Sequence, residues 1–239
     1  MNIAIIFAGG TGQRMNSKTR PKQFLELHGK PILVYTLEQF QEHKKIDKII
    51  VVILKQWKDY TNEIIGKYNL NKVCAIVDGG KTGQESIYNG VVKAQELFQE
   101  KDIVLIHDGV RPLIDEDTIS KAIDMTKKRG SAITVSPAIE TLVLKSNTDM
   151  VDEVIPRDKC QLAKAPQCFC LKDLYRAHQL AINDKKVDFI DSASLMKYYG
   201  YPLYTIEGKP ENIKITTPSD FYIFRAIIDA KENSQIFGL

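Results

Sequence analysis

A chain of 239 residues with 44% hydrophobic content can bury one substantial core, and it falls within the range of a single large α/β domain, 1–239. Its 33 basic and 30 acidic side chains are mixed along the sequence, giving a formal net charge of +3 with no block resembling a nucleic-acid tail. No apolar run approaches the roughly 20 residues of a membrane helix, and residues 3–7 are far too few for a signal-peptide core, so a cytoplasmic protein with no nucleic-acid and no membrane partner is expected.

In chain order, the short apolar runs 3–7, 48–54, 73–77, 103–107 and 132–135 read as buried strands, with helices filling the gaps. The segment 31–40 opens on a proline suited to a first helical turn, and 84–98 places Ile87, Val91, Ala94 and Phe98 on one face. Alternation of strand and helix predicts a Rossmann-like α/β fold with a mostly parallel sheet between helices. After Val135 the rhythm breaks. Residues 141–145 and 150–155 flank the turn-like Ser146-Asn147-Thr148-Asp149, which predicts an antiparallel hairpin over about 138–158, projecting from the sheet. Thr217-Pro218-Ser219-Asp220 is a strong helix start, and a helix to about Lys231 should follow it, with Phe221, Phe224 and Ile228 on its apolar side.

The four cysteines, Cys74, Cys160, Cys168 and Cys170, lack the paired spacing of a zinc site and read as buried or half-buried free thiols. Four histidines occur, none followed at helical spacing by a second histidine or a cysteine, which argues against a histidine-based metal centre or triad.

Ala8-Gly9-Gly10-Thr11-Gly12-Gln13-Arg14-Met15 follows the first strand directly, and Pro21-Lys22-Gln23-Phe24 comes next. Glycines after a buried strand let backbone N–H groups approach a polyphosphate, while Arg14 and Lys22 supply positive charge for it. The dinucleotide fingerprint would need glycine at Met15 and an acid ending the second strand. Gly80-Lys81-Thr82 resembles the end of a P-loop, but Ala75 stands where its first glycine belongs. Taken alone, the segment has a second, less favoured reading as a glycine turn with incidental basic neighbours.

Several ordered segments carry a more specific signal: residues 8–15 with Pro21-Lys22-Gln23, Gly79-Gly80 with Ser86-Ile87, His107-Asp108-Gly109-Val110-Arg111-Pro112, Ala165-Pro166-Gln167, Asp191-Ser192-Ala193-Ser194, and Asn212-Ile213-Lys214-Ile215-Thr216. In these the chain resembles, from Ile3 to about Phe221, the cytidylyltransferase family that includes methylerythritol-phosphate and ribitol-phosphate cytidylyltransferases. The resemblance implies a nucleotidyltransferase fold, Mg2+ as cofactor, CTP and an alditol phosphate as partners, and a homodimer joined by the hairpin. It implies CTP binding by Ala8, Gly9, Gly10, Thr11, Gly12, Gly79, Gly80, Ser86, Asp108 and Arg111, with Asp108 also at the metal. Arg14, Lys22, Arg157 and Lys214 would be catalytic, and Thr141, Arg157, Asp191 and Lys214 would hold the acceptor.

The chain departs from the family at Gly83, where an arginine is common, and at Ala165 and Ile190, where familiar members carry threonines near the acceptor phosphate. The glycines of the first loop and Val110 before Arg111 resemble the ribitol branch, so D-ribitol 5-phosphate is the expected acceptor, with 2-C-methyl-D-erythritol 4-phosphate the alternative. Two readings of other kinds stand beside these: a nucleotide-binding protein without catalysis, and a nucleotidyltransferase using another triphosphate on a hexose phosphate. An alkyl phosphate is already anionic at neutral pH, so attack on the α-phosphorus of CTP needs no general base.

Overall fold

The computed structural model describes residues 1–9 and 20–237. Its strands are β1 (Asn2–Phe7), β2 (Glu26–Leu27), β3 (Lys30–Pro31), β4 (Lys48–Ile53), β5 (Val73–Asp78), β6 (Ile103–Asp108), β7 (Ser131–Pro137), β8 (Leu142–Lys145), β9 (Val151–Ile155), β10 (Gln161–Cys170) and β11 (Thr205–Glu207). The helices are α1 (Ile32–Glu42), α2 (Lys58–Lys67), α3 (Gly83–Leu97), α4 (Glu116–Arg129), α5 (Leu171–Asn183), α6 (Ser192–Tyr198) and α7 (Pro218–Phe237). Seven strands form one sheet in the order β11-β7-β10-β6-β1-β4-β5, and β2-β3 and β8-β9 are separate ribbons.

The central strands are apolar on both faces because helices cover both. Ala4 and Ile6 point with Ile49 and Val51 toward Phe40 of α1 and Ile119 of α4. Ile3 and Ile5 point the other way, with Ile50 and Val52, toward Val91 of α3 and Leu174 of α5. A period of two is thus hidden in sequences that read as unbroken apolar runs. Parallel pairing joins β1 to β4 and β6, β4 to β5, and β11 to β7. The long β10 runs antiparallel to both β6 and β7, with a register shift between Ala163 and Gln167, where the Ala165-Pro166 peptide is cis.

Two features position the cleft. Helix α3 lies directly on the sheet: a Cβ at Gly90 would stand 2.6 Å from Ile5 Cγ2 and 2.9 Å from Val52 Cγ2. Its N-terminus is therefore drawn close to the ends of β1 and β4. Helix α7 covers a smaller core of Leu27, Ile32, Val110, Leu113, Ile215 and Phe224, which pins residues 212–216 over the turn after β6. The cap foreseen for α7 forms, since Asp220 Oδ2 accepts from Thr217 N at 2.7 Å and Thr216 N at 2.8 Å. The helix continues beyond Lys231, to Phe237. Among the described residues no helix is long and apolar enough to cross a membrane. The thiols differ from expectation at one position: Cys74 is exposed, while Cys168 is buried and Cys160 and Cys170 lie between. Cys74 sits on β5, an edge strand, so one side of its backbone has no neighbour to cover it.

Candidate active site

From β1 the sheet grows one way to β4 and β5, and β6 is added on the opposite side of β1. Such a reversal leaves a crevice beyond the carboxyl ends of the flanking strands, where ligands bind in open α/β sheets. Here Phe7 of β1 is in register with Asp108 of β6, so the carboxyl end of β1, continued by Ala8 and Gly9, lies beside the end of β6 that carries Asp108.

One wall is built of glycines. Ala8 N donates to Val52 O and Gly79 N to Ile53 O, each at 2.7 Å, which carries the backbone on past the strand ends in sheet-like fashion. A Cβ on Gly9 would lie 3.1 Å from Ser86 Oγ, and one on Gly79 would lie 3.4 Å from the Cα of Gly9. The two backbones therefore touch. Ser86 Oγ accepts from Gly80 N at 3.0 Å and donates to Thr82 O at 2.9 Å, locking the 79–82 turn onto α3. Thr82 caps the helix through Glu85 N at 3.1 Å. The unsatisfied N–H groups of a capped helix start next to bare glycine backbone favour an anion. Gly9, Gly79, Gly80 and Ser86 are thus brought together as expected. Gly10, Thr11, Gly12 and Arg14 lie outside the described residues.

The opposite wall is charged. Asp108 is buried at the end of β6, and both of its oxygens face cations. Lys214 Nζ stands 2.6 Å from Oδ1 and Arg111 Nε 3.2 Å from Oδ2. Burial alone would raise the Asp108 pKa; the charges of Arg111 and Lys214 overcome it and hold the carboxyl below its ordinary value. Arg111 also donates to Asn212 O at 2.7 Å, and Lys22 Nζ donates to Ile215 O at 2.9 Å. Residues 212–215 thereby hold Lys22 and Arg111, from two distant parts of the chain, in the segment that carries Lys214. His107 lies behind them as a neutral ring. Its Nε2 donates to Arg111 O at 3.0 Å, and burial pushes its pKa down to about 4. The ionised Asp108 carboxylate is a hard oxygen donor, a chemistry that suits a magnesium ion.

The acceptor-side residues are distributed differently. Asp191 caps α6: its Oδ1 accepts from Ser194 N at 2.8 Å, and its Oδ2 accepts from Gln167 Nε2, also at 2.8 Å. Its carboxylate is engaged in holding the loop before α6 against β10. Thr141 and Arg157 stand exposed at the base of the β8-β9 ribbon, where Arg157 Nη1 donates to Ile139 O at 2.8 Å. Ala165 is buried, and its carbonyl accepts from Asn212 Nδ2 at 2.8 Å. Ile190 is 90% exposed. Gly83 opens α3 with nothing within 4 Å of a Cβ placed there.

Sequence reasoning did not single out the amides that hold the walls. Gln23 Nε2 donates to Ala8 O at 2.7 Å, Asn212 joins Arg111 to Ala165, and Gln167 Oε1 accepts from Ala193 N at 2.8 Å. Each belongs to a segment that carries the resemblance, which was the available signal. Their roles depend on contacts between remote segments.

A family model described as 2-C-methyl-D-erythritol 4-phosphate cytidylyltransferase matches residues 2–230. A ribitol-5-phosphate cytidylyltransferase of Vibrio parahaemolyticus is 52% identical over 238 residues, covering 100% of both chains. A 2-C-methyl-D-erythritol 4-phosphate cytidylyltransferase of Clostridium botulinum is 38% identical over 229 residues, covering 95% of this chain and 97% of its own. Among solved structures, the 4-diphosphocytidyl-2C-methyl-D-erythritol synthase of Anaerococcus prevotii superposes with a TM-score of 0.81 at 28% identity, covering 95% of this chain and 96% of that one. The chain belongs to the 2-C-methyl-D-erythritol 4-phosphate cytidylyltransferase family and is a cytidylyltransferase.

Proposed function

We propose that the chain transfers CMP from CTP to D-ribitol 5-phosphate, forming CDP-ribitol and pyrophosphate. The observation that carries this reading is the 52% full-length likeness to a ribitol-5-phosphate cytidylyltransferase, well above the 38% shared with a methylerythritol enzyme. The site is consistent with it. The glycine wall at Gly9, Gly79, Gly80 and Ser86 takes the nucleotide, and Gly10, Thr11, Gly12 and Arg14 complete the triphosphate cradle.

The work of the protein is to hold two anions in line and to neutralise charge as pyrophosphate leaves. Lys22 is fixed by Ile215 O and directs its ammonium toward the triphosphate. Lys214, now paired with Asp108, exchanges that partner for the acceptor phosphate, with Arg111 keeping the carboxylate ionised. Asp108 would hold a magnesium ion, which would supply further charge neutralisation. The phosphate oxygen of the acceptor is the nucleophile and brings no proton that must be removed, so His107 remains a structural ring.

The chain acts as a single domain, in the cytoplasm, and as a homodimer. The β8-β9 ribbon supports the last point: a lone two-stranded sheet is marginal in water, yet this one exposes Val143, Leu144, Val151 and Val154. Covering it with a second copy would bring Thr141 and Arg157 to the partner's acceptor side. The test is pyrophosphate release over a panel of nucleoside triphosphates and alditol phosphates. Steady release with CTP and ribitol 5-phosphate is expected. Preference for another triphosphate on a hexose phosphate, or CTP binding without turnover, would overturn the reading.

A further inference from the structure

The loop between α5 and α6 presents Ile190 at 90% exposure immediately before Asp191, yet it is not loosely held. Phe189 packs against Tyr198 and Tyr199 with ring centroids 5.3 Å and 6.3 Å apart, and Lys186 Nζ sits 4.8 Å from the Tyr198 ring. Its other anchor comes from the nucleotide wall. Gln84, half-buried in the first turn of α3, donates from Nε2 to Lys186 O and accepts at Oε1 from Phe189 N, both at 2.9 Å. One partner is a carbonyl and the other an N–H, so only one orientation of the amide satisfies both. The bonds span 102 and 105 residues of sequence.

Gln84 lies two residues from Thr82 and Ser86, which lock the 79–82 turn. At the loop's far end Asp191 bonds Gln167, and Asn212 bonds both Ala165 and Arg111 beside Asp108. The loop is therefore the span by which the nucleotide wall is joined to the charged wall across the mouth of the cleft. Its exposed aliphatic tip borders the region assigned to the acceptor.

We propose that Gln84 is a positioning residue for acceptor recognition: its two-ended clasp fixes residues 186–190 as one lip of the alditol-phosphate subsite and seats Ile190 against the carbon chain of the acceptor. The acceptor role rests on the cytidylyltransferase reading above; the clasp itself rests on the geometry.

The test is Gln84→Met, which keeps the side-chain length and loses both bonds. With CTP and ribitol 5-phosphate, KM for the acceptor should rise about tenfold, the scale of two lost hydrogen bonds, while kcat and KM for CTP change less than about threefold. Gln84→Asn keeps the amide but is one methylene too short to reach both partners, and should give a smaller rise of the same kind. A second readout needs no turnover: Lys186 O is the carbonyl of the Lys186–Val187 bond, so tryptic cleavage there should be several-fold faster in the native-state Met variant than in the wild type. An acceptor KM unchanged in Gln84→Met, or a CTP KM that rises as much, overturns the proposal, as does unchanged cleavage. Wild-type enzyme that transfers CMP to no alditol phosphate would instead overturn the functional reading, and the acceptor role with it.

Discussion

Lys22 reaches a backbone carbonyl 193 residues further along the chain, Ile215 O, a bond that ties its ammonium to the 212–215 segment. The side chain is not a diffuse surface charge but a donor whose position is set before substrate arrives, which is what makes such a group effective against developing charge. Lys22→Ala should lower kcat by at least about 100-fold, the effect of removing one donor from a developing anion in comparable sites. Steady-state kinetics on folded mutant protein checks this, and an unchanged kcat would remove Lys22 from the catalytic role. Asp108 depends on its neighbours in the same way. It stays ionised in a buried place because Arg111 and Lys214 face its two oxygens, and Lys214 can leave for a phosphate without stranding the carboxylate, since Arg111 remains.

At the level of elements, the strands that the sequence announced are apolar runs: β1, β4, β6 and β7 are buried on both faces because helices cover each side, while β5, at the sheet edge, is only half-buried. β10 was not legible. Its outer half is exposed, and its antiparallel pairing depends on a chain reversal through the β8-β9 ribbon that no local pattern encodes. β11 spans three residues, too few for any periodicity to show. The glycine wall was legible because a glycine loop after a strand has a local meaning. The charged wall was not, because residues 212–215 are irregular backbone whose function is to gather side chains from elsewhere; resemblance supplied it where spacing could not. The β8-β9 ribbon makes a prediction of its own. If its apolar face is covered by a second copy and delivers Arg157 to that copy's acceptor, then mixing Arg157→Ala with Lys22→Ala chains should restore part of the activity in heterodimers. No restoration despite proven subunit exchange would count against the shared site.

For the whole molecule, buried histidines tie stability to pH. Burial lowers the pKa of His107 and of His178 to about 4, and it lowers His43 as well. In the unfolded chain these rings titrate near the ordinary value of 6.5. Between those values the unfolded state binds more protons than the folded one, so stability is complete above about pH 6.5 and is lost as the pH falls toward 4. His107 and His178 each contribute a slope of about 1.4 kcal/mol per pH unit inside that window, and His43 acts in the same direction. His178 packs beside Tyr88 with its Nε2 unpaired, and the cleft does not use it, so His178→Leu isolates the effect. Urea denaturation at pH 6 and pH 5 should show the slope reduced by about that amount, and an unaltered slope would mean that His178 is not buried neutral.

Relatives named for ribitol 5-phosphate and for 2-C-methyl-D-erythritol 4-phosphate both match this chain over nearly its whole length, so the acceptor is what separates the two readings. A site shaped to hydrogen-bond particular hydroxyls discriminates strongly against an analogue that lacks or misplaces them. The most direct measurement is kcat/KM with CTP for D-ribitol 5-phosphate and for 2-C-methyl-D-erythritol 4-phosphate, on the same preparation. A ratio of at least about ten in favour of ribitol 5-phosphate is expected, some 1.4 kcal/mol of transition-state binding. The opposite ranking would contradict the ribitol assignment while leaving cytidylyl transfer in place.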